Sequence, residues 1–171
     1  MGYIMESRMP FAANNADNWQ AFERFVADEV SKLDSNATVE HDAKLQGVHS
    51  GIERQIDVLA SVRALGATMQ VVYECKLYKR AVGIGTVEEF IGKILDLRVD
   101  RGVLCVFGNI TPSAFHRLLG VLHPRLDLYI WHRDNPTLFD REPSLDEENW
   151  DAIADWDRRM EQVRRQRFHF C

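Results

Sequence analysis

The chain has 171 residues, 46% of them hydrophobic, and 26 acidic against 21 basic side chains give it a formal net charge of −5. That length and apolar content suit one compact domain built on a single core without disulfide staples, and the charge excludes a protein that coats nucleic acid through bulk positive potential, although a local basic strip is compatible with it. Cys75, Cys105 and Cys171 form no CxxC pair and read as reduced thiols of a cytoplasmic protein, while the absence of an apolar signal-peptide core in Met1 to Pro10 and of any membrane-length stretch argues against secretion and membrane insertion.

Taken in chain order, Trp19, Phe22, Phe25, Val26, Val30 and Leu33 recur at helical spacing behind the capping residues Asp17 and Asn18 and predict a first helix. Ala37 to Lys44 alternates weakly as a first strand and runs into a loop marked by Gly47 and Gly51. Glu53 to Val62 and Met69 to Lys76 are the next strands, joined by a hairpin turn at Leu65-Gly66. Thr86-Val87-Glu88-Glu89 has the form of a capping box, and Val87, Phe90, Ile91, Ile94 and Leu95 trace the apolar face of a helix that ends near Leu97. Gly102 to Phe107 reads as a strand buried on both faces. Thr111-Pro112 opens another helix whose core face is Phe115, Leu118, Leu119 and Leu122, and Leu126 to Trp131 closes the sheet. Ser144-Leu145-Asp146-Glu147 starts a C-terminal helix with Trp150, Ile153, Trp156, Met160 and Val163 along one side. Its acidic start and arginine-rich end complement the helix dipole. No internal repeat or low-complexity tract occurs.

Chemistry concentrates at two strand ends. Asp57 lies in Gln55-Ile56-Asp57-Val58-Leu59, and Glu74-Cys75-Lys76 closes the run Gln70-Val71-Val72-Tyr73, so a hairpin brings two carboxylates and an ammonium together. Alternation puts Glu74 and Lys76 on one face and Cys75 in the opposite layer. Two carboxylates helped by a backbone carbonyl suit Mg²⁺ and leave positions for a scissile phosphate and for a water that Lys76 orients or helps to deprotonate. Ionisable groups in apolar strands are otherwise disfavoured unless paired, and a buried cluster in which Asp57 and Glu74 neutralise Lys76 or Arg54 is the alternative. Gln55, two residues from Asp57 and expected on its strand face, either positions water or phosphate or satisfies a neighbouring backbone group.

Asp57, sixteen intervening residues and Glu74-x-Lys76 resemble the PD-(D/E)XK signature of the restriction-endonuclease-like superfamily, and Gly51-Ile52-Glu53-Arg54-Gln55-Ile56-Asp57-Val58 is similar to its Mrr-like members. The resemblance covers roughly Trp19 to Phe115 in the order of that core, with Ile56 in place of the signature proline. It implies an α/β restriction-endonuclease-like fold, αβββαβ, with a mixed central β-sheet flanked by helices, to which an extra strand and the C-terminal helix are added. The domain layout expected is an N-terminal extension over 1–16, a nuclease-like domain over 17–132 and a C-terminal helical extension over 133–171 packed on that domain.

The same resemblance implies a metal-dependent endonuclease that hydrolyses DNA in restriction, phage defence or repair, with Asp57, Glu74, Lys76 and Glu23 in its catalytic set, to which Gln55 is added from its expected place on the Asp57 strand face. Mg²⁺ or Mn²⁺ would be held by Asp57, Glu74, the Cys75 backbone carbonyl and Glu23, the acidic residue of the first helix. DNA is the expected partner, a homodimer or a larger defence or repair complex the expected assembly. Lys79 and Arg80, in a loop with Gly83 and Gly85 that leads to a helix N-terminus, are the expected DNA contacts. The six histidines show no zinc-ligand spacing, and His49, in the loop before the Asp57 strand, is the one expected near the site. Two other readings stay open: a catalytically silent module that binds DNA or a protein, docking through its C-terminal helix, and an RNA-directed nuclease, which only contacts to the 2′-OH would distinguish.

Overall fold

Phe22, Phe25, Val26 and Val30 line one side of α1 (Asn18–Leu33) and are at most 7% exposed, whereas Trp19 and Leu33 at its ends remain exposed. This burial follows from the helical period, because residues three and four apart share a face. The protein is seen here as a computed structural model that describes residues 18–131. The expected N-terminal extension, the start of the first helix at Asp17 and the C-terminal helix lie outside the described residues.

Five strands follow, β1 (Thr38–Gln46), β2 (Glu53–Ala64), β3 (Ala67–Leu77), β4 (Arg101–Phe107) and β5 (Leu126–Trp131), in the sheet order β1-β2-β3-β4-β5. The first three pair antiparallel, and β3, β4 and β5 run parallel through crossover helices α2 (Ile84–Leu97) and α3 (Pro112–Leu119). The mixed α/β sheet flanked by helices agrees with the restriction-endonuclease-like architecture read from the sequence, including the added strand.

Two hydrophobic layers sandwich the sheet. Val58, Ala60, Tyr73, Val103, Cys105 and Trp131 meet α1, while Leu59, Val72, Leu104 and Val106 meet Val87, Phe90 and Ile94 of α2 and Phe115 and Leu118 of α3. Strand β4 is therefore buried on both faces, as its unbroken apolar run requires. Gly102 permits the close approach of α2, since a Cβ there would lie 2.6 Å from Ile94 Cγ1.

The β2–β3 turn has Ala64 paired with Ala67 and positive φ at both central residues, 51° at Leu65 and 83° at Gly66, the pattern of a type I′ hairpin. Thr111 caps α3 as expected, its Oγ1 accepting from the Ala114 amide at 3.3 Å. The capping box expected at Thr86 does not form: α2 begins at Ile84 behind Gly83, with no side-chain cap. Tertiary pairing overrides the local signal, because buried Val82 bridges to Ile110 and both its backbone groups are bonded, Val82 N to Asn109 O at 2.8 Å and Thr111 N to Val82 O at 2.9 Å. The chain turns into the helix immediately after this anchor. Leu95, Leu119 and Leu122, expected on core faces, are exposed, and Leu97 completes the α2 face instead.

The β1–β2 hairpin changes face midway. Val39, Val58 and Ala60 pack in the α1 layer, yet Ala43, Leu45 and Ile56 pack in the α2 layer, which strict alternation forbids. The switch occurs where the ladder passes from His41↔Val58 to Ala43↔Ile56, at Asp57 and at Asp42, whose φ is 56°. Aspartate tolerates that left-handed conformation better than most residues. The outer hairpin consequently docks on the end of α2, where Asp96 accepts from Ser50 N at 2.8 Å, Ser50 Oγ at 2.7 Å, His49 N at 3.2 Å and Arg54 Nε at 2.9 Å. Gly47 leaves room for that clamp, since a Cβ there would sit 2.6 Å from Ser50 Oγ. No helix among the described residues is long and apolar enough to cross a membrane.

Candidate active site

Pairing of β2 with β3 runs from the turn as far as Val58↔Tyr73 and then stops, while β3 continues beside β4 through Glu74↔Leu104, Cys75↔Cys105 and Lys76↔Val106. A gap therefore opens beside Glu74-Cys75-Lys76, and Asp57 spans it, its Oδ2 accepting from the Cys75 amide at 2.7 Å. The Cys75 side chain lies in the opposite layer beside Cys105, and both thiols are free. Glu74, 9% exposed, receives Lys76 Nζ on Oε1 at 2.7 Å and Lys93 Nζ on Oε2 at 2.6 Å. The expected convergence of Asp57, Glu74 and Lys76 is thus present, and Arg54 pairs with Asp96 rather than with them.

Burial raises the Asp57 pKa, the neighbouring Glu74 charge raises it further, and the Cys75 amide, Lys93 and Lys76 oppose that rise without cancelling it. Burial acts the same way on Glu74, but the attraction of Lys93 and Lys76 prevails and holds it below the usual carboxylate range. Lys76 feels burial as a lowering influence that Glu74 outweighs, so its ammonium keeps its proton more firmly than a free lysine. One carboxylate is thus held charged and its neighbour resists charging.

Glu23, on α1, is 8% exposed rather than solvent-facing, and its Oε2 lies 3.1 Å from His41 Nε2. Burial and the charge of Asp57 raise its pKa, which places it within electrostatic range of the site. Gln55 does not bond Asp57; its Nε2 donates to Asp42 Oδ1 at 2.7 Å, because the strand changes face between them. Lys79 and Arg80 are exposed in the loop after β3 and form no ion pair among the described residues. His49 donates its backbone amide to Asp96 and lines a cleft with Arg98, His123 and Arg125. Among the described residues no group of three or more His, Cys, Asp or Glu side chains is arranged to hold a metal ion.

Lys93 and His41 also reach this cluster, although no motif in the sequence includes them. Lys93 is the only basic residue of α2 and sits between the buried positions Phe90, Ile91 and Ile94, a placement at the border of the apolar face that could have marked it. His41 had no local signal, because its partner is 18 residues away on a different element.

The fold is similar to that of a crystallised protein of unknown function, AF1548, with a TM-score of 0.51 and 17% sequence identity over 65% of this chain and 58% of that one. The match spans less than two thirds of that protein, and at this identity the likeness concerns the fold. No curated protein matches the chain. The Mrr_cat model, described as restriction endonuclease, matches residues 15–126, a span that holds Glu23, the parting of β2 from β3 and the Asp57, Glu74 and Lys76 cluster. With most of its length matched in this way, the chain belongs to the Mrr_cat family of restriction endonucleases.

Proposed function

We propose that the protein is a metal-dependent endonuclease that hydrolyses DNA phosphodiester bonds, acting in restriction, phage defence or repair. The observation that carries this reading is the meeting of half-buried Asp57, buried Glu74 and Lys76 where β2 and β3 part. Hard oxygen donors of this kind fit Mg²⁺ or Mn²⁺, which two carboxylates can hold while substrate and water complete the coordination. Asp57 and Glu74 would bind the ion. The Cys75 carbonyl would assist, because a strand residue presents its N–H and C=O to the same side and the Cys75 amide already faces Asp57. The ion would polarise the phosphate and lower the pKa of an attacking water.

The protein's own groups supply the rest. Lys76, kept protonated by Glu74, donates to the water or to a phosphate oxygen and stabilises charge that develops there. Glu23, held by His41, adds acidity from α1, and Gln55 acts only indirectly, through Asp42, whose charge is felt at Glu23. Exposed Lys79 and Arg80 would contact the DNA backbone.

Incubating the full chain with supercoiled plasmid, linear duplex, single-stranded DNA and RNA, in Mg²⁺, Mn²⁺ or EDTA, tests the reading. Cutting of DNA that requires metal and falls by about 10²-fold or more in Asp57→Ala, with the fold retained, is the expected result. Cleavage confined to RNA would reassign the substrate. The pairing of both Glu74 oxygens with ammoniums favours a silent binding module as the second reading, and no cutting of any polymer would shift weight to it or to a missing partner.

A further inference from the structure

Lys76 reaches Glu74 along its own strand, but Lys93 reaches it from a different element. Its backbone is fixed on α2 by Phe90, Ile91 and Ile94, each at most 5% exposed, while a four-carbon stem with several rotatable bonds carries the ammonium to Glu74. Among the described residues no second carboxylate pairs with Lys93, so Glu74 Oε2, at 2.6 Å, is its one ion-pair partner there. With Asp57 and Glu74 both ionised, as a metal-binding pair requires, their charges balance those of Lys76 and Lys93 in the absence of a metal. A dication at the two carboxylates would upset that balance, leaving two ammoniums against a doubly charged ion in a half-buried site.

We propose that Lys93 is a place-holding cation, which rests on the metal-dependent nuclease reading: its ammonium occupies Glu74 Oε2 in the free protein, yields that oxygen when a divalent ion enters, and then turns to the substrate phosphate. The exchange makes Glu74 serve two partners in turn. It keeps a buried carboxylate compensated before the metal arrives and delivers a positive charge to the cleft when an anionic substrate is present. A lysine suits this better than an arginine, whose planar fork would grip both carboxylate oxygens.

The alternative is that Lys93 is a strut that merely orients Glu74, and the two roles predict opposite signs. Removing a ligand-orienting partner weakens metal binding by roughly 10–100-fold, whereas removing a competing charge strengthens it. Mn²⁺ is titrated into the full chain without DNA, by calorimetry or by the paramagnetic signal of free Mn²⁺, for the unaltered protein, Lys93→Met, Lys93→Arg and Asp57→Ala. Lys93→Met is expected to bind Mn²⁺ about tenfold tighter and to cleave DNA more slowly at saturating metal, while Lys93→Arg keeps the unaltered affinity or binds more weakly. Lys93→Gln serves the same comparison if the methionine variant does not fold. Unchanged or weaker Mn²⁺ binding in Lys93→Met, with binding present in the unaltered protein and lost in Asp57→Ala, overturns the role of Lys93 and leaves the nuclease reading standing. Tighter binding with undiminished cleavage overturns the turn toward phosphate. Absence of Mn²⁺ binding in the unaltered protein overturns both the proposal and the reading beneath it.

Discussion

At Asp57 and Glu74 one strand-end environment acts in opposite directions on two carboxylates. Glu74 is held ionised by two ammoniums, so its removal strands Lys76 and Lys93 beside a buried position. Asp57 is disfavoured as an anion by burial and by Glu74, and its neutral form relieves that repulsion. Glu74→Gln is therefore expected to lose about 3 kcal/mol of stability, the usual consequence of breaking a buried pair from one side. Asp57→Asn, which keeps an oxygen for the Cys75 amide, should melt at or above the unaltered protein at neutral pH without metal. Thermal melts of both variants decide this, and a lower melting point for Asp57→Asn would mean that Asp57 is stabilised by contacts other than those described. Both substitutions should abolish cleavage, so activity and stability separate at Asp57 and fall together at Glu74.

Among the elements, the outer β1–β2 hairpin owes its position to Asp96. Hydrogen bonds from the Ser50 side chain and amide, joined by Arg54, hold this carboxyl well below the usual range. The folded pKa is depressed, so the stabilisation is complete above the unfolded value, about 3.9, and is lost as pH falls below it toward the folded value. Asp96→Asn should lower the melting temperature at pH 7, and its difference from the unaltered protein should shrink below about pH 4; a constant difference across that range would show that Asp96 acts by shape alone. The β2–β3 hairpin carries the opposite imperfection. Leu65 is fully exposed in a left-handed conformation with φ 51°, which costs a leucine about 1 kcal/mol that asparagine largely avoids. Leu65→Asn should accordingly raise stability by about 1 kcal/mol in urea unfolding without altering cleavage.

For the molecule as a whole, a net charge of −5 means that any hold on DNA must come from a local basic surface. Lys79 and Arg80 are exposed just beyond the end of β3 and are the proposed part of that surface. Lys79→Ala and Arg80→Ala should each weaken DNA binding uniformly across sequences and reduce the slope of log affinity against log salt by about 1. An unaltered slope in both variants would move the backbone contacts elsewhere.

The order of elements, the hairpin at Leu65-Gly66, the doubly buried β4 and the cluster of Asp57, Glu74 and Lys76 were legible in the sequence, because each depends on periodicity, turn chemistry or short spacing that neighbours in the chain determine. Gln55 turns to Asp42 and away from the Asp57 face because alternation breaks at Asp57, where the hairpin changes face and its turn is taken up by Asp96, 39 residues away from Asp57 along the chain. The start of α2 was likewise set by the distant bridge of Val82 to Ile110 and not by Thr86. Lys93 and His41 entered the site only when α2 and β1 were packed against β3 and α1. Sequence alone therefore determined the elements and the strand-borne carboxylates. The tertiary structure decided which cations face them, since an ion pair across elements is set by how their surfaces meet and leaves no periodic trace in the chain.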